Sequence, residues 1–444
     1  MYLRDERIRF LALGLIIGVF AAGVSMGFFH LVHEEEDDEQ ELEEAKLTVV
    51  DNSFILAASL DKDLLEERIK QGNKFLLRSE NEEFNGFYKY FYPFENRYGD
   101  ELVTVYSSSI VYTFMYVNNY YEESELIKER LQDWGDFLLS MQKTENVGGV
   151  HGAFHYAYDL NRGVKENRFV VGTAALTIFT LLEMYDLTEE SVYLESAEMA
   201  GNWLISMQNA DGTVKPYRRR SSSGQWFSGT KESLLYQGQV LSALSRLYRT
   251  TGVDKYYDSA EKIADRYASM YEGELGYVEG EYRDKNPISN SWVVMSLLDF
   301  YKASQENRYR RVVLELSEMI LDNQYMNKYD PRDYGRWRGA YSTSGNGWIC
   351  EVMTEVYRFR KETGIGGHEK YKEAVLRGFR WIVQNTYSEE HQKIFDIPDR
   401  AIGGVFWNKG NRYVRTDSNC HAMNAYILLF PYLEKGTLVT AKGF

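Results

Sequence analysis

Gln237-Gly238-Gln239-Val240-Leu241-Ser242-Ala243-Leu244-Ser245-Arg246-Leu247-Tyr248 starts on a side-chain amide, runs apolar with helical spacing and ends on an aromatic eleven residues after it starts. The same frame returns along the chain: Asn290 precedes Tyr301, Asn346 precedes Tyr357 and Asn419 precedes Phe430, each by eleven residues. Two earlier apolar stretches end in the same way, at Tyr120 and Tyr185. The six terminal aromatics lie 65, 63, 53, 56 and 73 residues apart. A period of that length holds two helices and a loop, so repetition is the first thing to explain.

The rest of each period supports this. An amphipathic segment follows the aromatic, clearest in Val192 to Met207 and Lys255 to Met270, with apolar residues at three- and four-residue steps. Next comes a glycine followed by alternating aromatic and polar residues. The six segments begin at Gly86, Gly152, Gly212, Gly276, Gly335 and Gly404. Such segments predict short β-hairpins or extended loops. The expected fold is all-α: an (α/α)6 toroid of six helical hairpins, the more apolar first helices inside and the second helices outside. The loops are expected on one rim, where the inner helices begin and unpaired N–H groups give a partial positive charge.

Ahead of the repeats, Phe10 to Phe29 is uncharged, with Ser25 its only polar residue. Twenty helical residues span about 30 Å, the thickness of a bilayer's hydrocarbon core. Arg4, Arg7 and Arg9 precede the run, and Glu34 to Glu44 holds nine acids and no base. Positive-inside bias then predicts a cytoplasmic N-terminus at 1–9, a transmembrane signal-anchor at 10–32, an acidic stalk at 33–50 and an extracytoplasmic domain over 51–444. A cleaved signal peptide is the competing reading. The stalk carries nine units of the net −15, and residues 45 onward hold 55 acids against 48 bases. That balance gives no footprint for nucleic acid, and two cysteines exclude a disulfide-rich scaffold. The expected partners are the membrane and an acidic or hydroxyl-rich glycan. No protein partner is indicated.

From Glu195 to Trp348, about a third of the chain, the sequence resembles the C-terminal domain of the D-glucuronyl C5-epimerases. Ser196-Ala197-Glu198-Met199-Ala200-Gly201-Asn202-Trp203-Leu204 is similar to that family's outer-helix sequence, and Gln237-Gly238-Gln239 to its inner-helix start. Glu281-Tyr282 with Asn290, Tyr329-Asp330-Pro331-Arg332, and Arg336-Trp337 with Tyr341 resemble segments that carry the family's catalytic tyrosines. The resemblance implies epimerisation of a uronate at C5, with Tyr341, Glu281 and Tyr329 as catalytic candidates. It also implies a binding set of Arg332, Arg336, Arg338, Trp337, Gln237, Tyr282, Asn290, Trp292 and Trp348. Moving a proton beside a carboxylate needs acid–base groups flanking the ring and cations to stabilise the anionic intermediate. A tyrosine serves as base only where a cation lowers its pKa. No cofactor is required.

Two other chemistries stay open. Glycoside hydrolysis or lyase action needs a carboxylate pair, and rim acids are plentiful: Asp100, Glu101, Asp159, Glu232, Glu279, Glu281, Asp333 and Asp417. Cys350 with Cys420-His421 resembles the zinc set of the lanthionine cyclases, which implies a Zn site with an open position; a disulfide or packed thiols compete with it. A non-catalytic glycan-binding envelope component would share the aromatic rim without needing an acid and base.

Overall fold

The computed structural model describes residues 57–273 and 287–442. The apolar run at 10–29, the acidic stalk and Glu281-Tyr282 lie outside the described residues. The expected fold class is corrected in one part. Among the described residues no helix is long and apolar enough to cross a membrane. The longest apolar helices are instead the toroid's inner ones, whose serines, threonines and asparagines interrupt any membrane-like run.

The outer helices bury one stripe each. In Asn307–Asp322 the buried residues are Tyr309, Val312, Val313, Leu316, Ser317 and Ile320, which is one helical face. The inner helices are covered nearly all round, as in Val171–Thr188, because one side meets the outer layer and the others meet neighbouring inner helices. In chain order the helices are α1 (Lys62–Arg78), α2 (Thr104–Tyr120), α3 (Glu125–Ser140), α4 (Val171–Thr188), α5 (Ser191–Ser206), α6 (Leu234–Thr251), α7 (Asp254–Glu272), α8 (Pro287–Ser304), α9 (Asn307–Asp322), α10 (Thr343–Glu362), α11 (Glu369–Val383) and α12 (Thr416–Leu429). The even-numbered helices form the inner ring, each touching the next, and α12 closes the circle against α2.

One hairpin differs from the expected order. Among the described residues no outer helix follows Phe430; the sixth hairpin joins α12 to α1, which lies far earlier in the chain. Strand β1 (Ser59–Asp61) pairs antiparallel with the C-terminal strand Thr437–Thr440, fastening the two ends together.

The repeated residues have specific local tasks. Four residues after Tyr185, Tyr248 and Tyr301, the chain turns left-handed at Glu189 (φ 60°), Gly252 (φ 68°) and Gln305 (φ 59°). Each of these donates its N–H to the aromatic's carbonyl at 2.7–2.8 Å, ending the helix. At the other end, Asn346 Oδ1 accepts from Trp337 N–H at 2.8 Å and Asn419 Oδ1 from Val405 N–H at 2.9 Å. These amides tie each loop to the start of its own inner helix. The loop glycines lie against the next outer helix. A Cβ on Gly152, Gly335 or Gly403 would sit 2.0–2.1 Å from a backbone carbonyl oxygen, and all three have φ between 85° and 100°. In the sixth loop the tight position is Gly403, one residue before the expected Gly404.

Neighbouring loops pair round one rim. Glu101–Val103 pairs with Ala157–Asp159, Arg168–Val170 with Tyr217–Arg220, and Val414–Arg415 with Tyr90–Tyr92.

Candidate functional site

Two cavities occupy the middle of the ring. A rim cleft of about 560 Å³ opens among the loops, with Lys89, Tyr106, Tyr156, Tyr341, Trp407 and Arg415 in its walls. Beneath it a cavity of about 670 Å³ extends to the C-terminal ends of the inner helices, where Tyr120, Arg249, Arg358 and Glu362 stand. The two share Ser109, Leu176, Trp292, Trp348 and His421. Trp292 and Trp348 stack with ring centroids 3.8 Å apart, and His421 packs edge-on to Trp348 at 5.3 Å. An indole pair at a junction between polar walls is a flat apolar surface suited to the face of a sugar ring.

Beside that pair lies an acid–base dyad. His421, in the second turn of α12, places Nδ1 2.8 Å from Glu351 Oε2 on α10. Glu351 Oε1 also accepts from Asn424 Nδ2 at 3.1 Å, one turn further along α12. With Glu351 as a carboxylate both its oxygens accept, so Nδ1 is the nitrogen that donates to it and Nε2 is the one that faces away from the pair. Glu351 is 6% exposed, so its neighbours hold its geometry. A carboxylate-oriented imidazole in a cavity wall can take a proton from a bound ligand and return it.

The rim cleft carries a second charged pair. Arg415 grips Asp417 through Nε at 2.7 Å and Nη2 at 2.6 Å, and Ser344 Oγ donates to Asp417 Oδ2 at 2.8 Å. Burial would raise the Asp417 pKa, but the Arg415 charge and these hydrogen bonds hold it below the usual carboxylate range. Asp417 is therefore an anion at neutral pH and a poor general acid. The Arg415 guanidinium lies 3.9 Å from the Trp407 ring centre. Tyr106 is pushed well above the ordinary tyrosine value by burial, so it stays a neutral hydroxyl. Lys89 Nζ lies over the rings of Tyr90 at 4.5 Å and Tyr106 at 5.3 Å and forms no ion pair among the described residues.

The residues anticipated from sequence are scattered by the fold. Trp292 and Trp348 meet at the junction, and Tyr341 stands at the mouth of the cleft, 72% exposed, with the Arg336 guanidinium 5.5 Å from its ring centre. Tyr329 lies outside both cavities, its hydroxyl accepting from Lys442 Nζ at 3.1 Å. Arg336 is held by Asp333, Arg338 lies 5.1 Å from the Tyr325 ring, and Arg332 is exposed away from the cleft walls. Trp337 is fully buried and donates to Ile320 O at 3.0 Å. Gln237 donates to Glu232 at 2.6 Å, and Asn290 lies in the first turn of α8. Among the rim acids, Glu232 pairs with Arg266 and Asp159 with Arg162.

Cys350 and Cys420 are free and buried, with thiols raised by burial. Cys350 faces the outer layer, where a Cβ on Gly378 would lie 2.5 Å from its Sγ. Cys420 lines the lower cavity instead. The two cysteines thus point to different sides of the inner ring. Among the described residues no group of three His, Cys, Asp or Glu side chains is placed to hold a metal ion. The sequence singles out His421 only as a zinc ligand beside Cys420; Glu351, directly after Cys350, carries no local signal of a partner 70 residues away.

No protein-family model and no curated protein matches the chain. Solved structures do. The cellobiose 2-epimerase of Bacillus thermoamylovorans superposes with a TM-score of 0.64 at 13% identity, over 83% of this chain and 99% of that one. A D-mannose isomerase superposes with a TM-score of 0.60 at 14% identity, over 83% and 97%. An unsaturated glucuronyl hydrolase of Streptococcus agalactiae gives 0.58 at 13% identity, over 86% and 96%. At such identities the likeness speaks for the fold. This chain has the six-hairpin toroid fold that sugar epimerases, isomerases and glycosidases also use.

Proposed function

We propose that this protein is a carbohydrate-active enzyme that moves a proton at a sugar carbon, as an epimerase or isomerase, with His421 as one of its acid–base groups. The observation that carries this reading is the Glu351–His421 dyad set against the Trp292–Trp348 stack at the junction of the two cavities. The indoles supply a face for the sugar ring, and Glu351 fixes the imidazole tautomer so that Nε2 is the acceptor. Removing a proton beside a carbonyl or carboxylate leaves an enolate that needs hydrogen-bond donors, and Arg415 in the adjoining rim cleft is the permanent cation among the described wall residues that can supply one in addition to its bonds to Asp417. The names of the similar structures support a sugar substrate.

Uronate C5 epimerisation is the narrower form of the same reading. It needs a cation for the substrate carboxylate. Arg332, Arg336 and Arg338 stand away from the cleft, so Lys89 takes that role. Solvent exchange tests the proposal. The protein is incubated in heavy water with free aldoses, reducing disaccharides and uronate-containing glycans, and deuterium incorporation is followed by NMR. Exchange at C2 identifies an aldose epimerase or isomerase, and exchange at C5 the uronate case. Shortening of a polymer without exchange would replace proton transfer with hydrolysis or lyase chemistry. Exchange that persists undiminished in His421→Asn would overturn the assignment of the base.

A further inference from the structure

The cavity beneath the tryptophan pair opens toward the face opposite the loops, and one helix lines it with a regular aromatic series. Tyr112, Tyr116 and Tyr120 sit four residues apart on α2, hence on one face. Their rings succeed one another at 4.6 and 5.3 Å, and the Tyr112 and Tyr116 hydroxyls bond at 2.8 Å. Tyr112 is 8% exposed and Tyr120 50%, so the series runs from the interior out to solvent. A stripe of this kind usually packs as core. Here it faces a cavity of about 670 Å³.

The rest of the lining, on the neighbouring and facing inner helices, is polar and fixed. Arg246 Nε binds Asp299 Oδ2 at 3.0 Å and Nη1 binds the Tyr112 hydroxyl at 3.1 Å, while the guanidinium lies 4.0 Å from the Phe179 ring centre. Asn424 is 4% exposed, and its Oδ1 has no hydrogen-bond partner among the described residues although its Nδ2 is held by Glu351. Leaving a buried carbonyl oxygen unpaired costs about 1–3 kcal/mol, which a ligand hydroxyl at that wall would recover. Six carboxylates against four arginine or lysine side chains line the cavity, and Arg246, Lys302 and Arg358 are already paired with Asp299 or Glu355, so an anionic ligand is disfavoured. A stepped aromatic wall beside fixed donors and acceptors, with no free cation to hold an anion among these pairs, fits a hydroxyl-rich neutral ligand.

We infer that this lower cavity is a second carbohydrate-binding site, a run of sugar subsites that starts at the indole pair and leaves the ring along Tyr112, Tyr116 and Tyr120. A saccharide held there reaches His421 from the face opposite the loops. The choice of ligand rests on the proposed sugar chemistry; the existence of the site does not.

Binding by isothermal titration calorimetry tests it, with neutral cello-, malto- and manno-oligosaccharides of one to six residues. The expected result is an affinity that rises with chain length for at least one series and falls about tenfold in Tyr120→Ala, a loss of about 1.4 kcal/mol. Tyr120 is half exposed, so this variant should fold, and Tyr120→Phe, which keeps the ring, should retain the length dependence. The same length dependence is expected in His421→Asn, which blocks proton transfer. Affinity that ignores chain length, or is unmoved by Tyr120→Ala, overturns the second site even when wild-type exchange activity is intact. Length-dependent binding without any exchange keeps the site and removes the proposed activity.

Discussion

His421 Nδ1 and Glu351 Oε2 lie 2.8 Å apart across neighbouring inner helices, and Asn424 Nδ2 donates to the other Glu351 oxygen. The imidazole is therefore oriented by a carboxylate that is itself held in place. Glu351→Gln keeps the shape but lets the amide donate to the ring, which favours the wrong tautomer. His421→Asn should lower kcat by roughly 10²- to 10⁴-fold, the usual worth of a general acid–base group. Glu351→Gln should lower kcat with little change in KM and move the acidic limb of the pH–rate profile to lower pH, because the base loses the carboxylate that favours its protonated form. An unshifted profile would make Glu351 a packing residue only.

Gly335 separates two costs that a glycine can hide. Its φ is 100°, and an added Cβ would lie 2.0 Å from the Arg377 carbonyl oxygen. Gly364 has φ 71° with nothing within 4 Å of the same atom. Gly364→Ala should cost about 1 kcal/mol, the left-handed backbone penalty alone. Gly335→Ala should cost about 3 kcal/mol or more, because the loop must move off the outer helix. Urea unfolding of both variants measures the difference, and equal losses would refute the close approach as the reason for the repeat.

These glycines also show what was legible. The terminal aromatics, the helix-opening amides and the loop glycines are each tied to a backbone contact that recurs in two or three of the hairpins, so the repeat was visible as sequence. The joining of α12 to α1 was not, because that hairpin is built from chain ends far apart in sequence. The site followed the same rule. Trp292 and Trp348 could be picked out as aromatics at inner-helix starts. Glu351 and His421 lie on different helices 70 residues apart, and no local pattern marks a pair that only ring closure brings together. Tyr329, Arg332, Arg336 and Arg338 carry a resemblance to catalytic segments, yet their loop turns them to Asp333, Tyr325 and Lys442 and away from the cleft.

Asp417 gives a pH dependence with a defined sign. Its folded pKa lies below its ordinary value, so it contributes stability that is present above about pH 4 and is lost as the pH falls through the folded value. Asp417→Asn should flatten that part of the acid limb in a denaturation series. Arg415→Met should be worse at neutral pH, costing about 3–5 kcal/mol, because it leaves a buried carboxylate unpaired. The double variant should recover much of the loss. If Arg415→Met and the double variant are equally unstable, the pair is not what holds this wall.

Lys89 decides between the two substrate classes that the proposed chemistry admits. Its ammonium lies over two tyrosine rings in the rim cleft and forms no ion pair among the described residues, whereas the neighbouring Arg415 is neutralised by Asp417. Among the described residues the cleft thus offers Lys89 as an uncompensated cation in a protein whose net charge is −15. A substrate carboxylate is the natural partner, partly desolvated and therefore stronger than an exposed surface pair. Lys89→Met keeps the aliphatic stem over the rings and removes the charge. For uronate-containing substrates KM should rise about tenfold, equivalent to 1.4 kcal/mol, with kcat little changed. Salt should weaken wild-type binding of those substrates but not of neutral ones. For neutral sugars Lys89→Met should leave KM where it was. Equal effects on both substrate classes would mean that Lys89 shapes the cleft without reading charge, and the uronate case would lose its anchor.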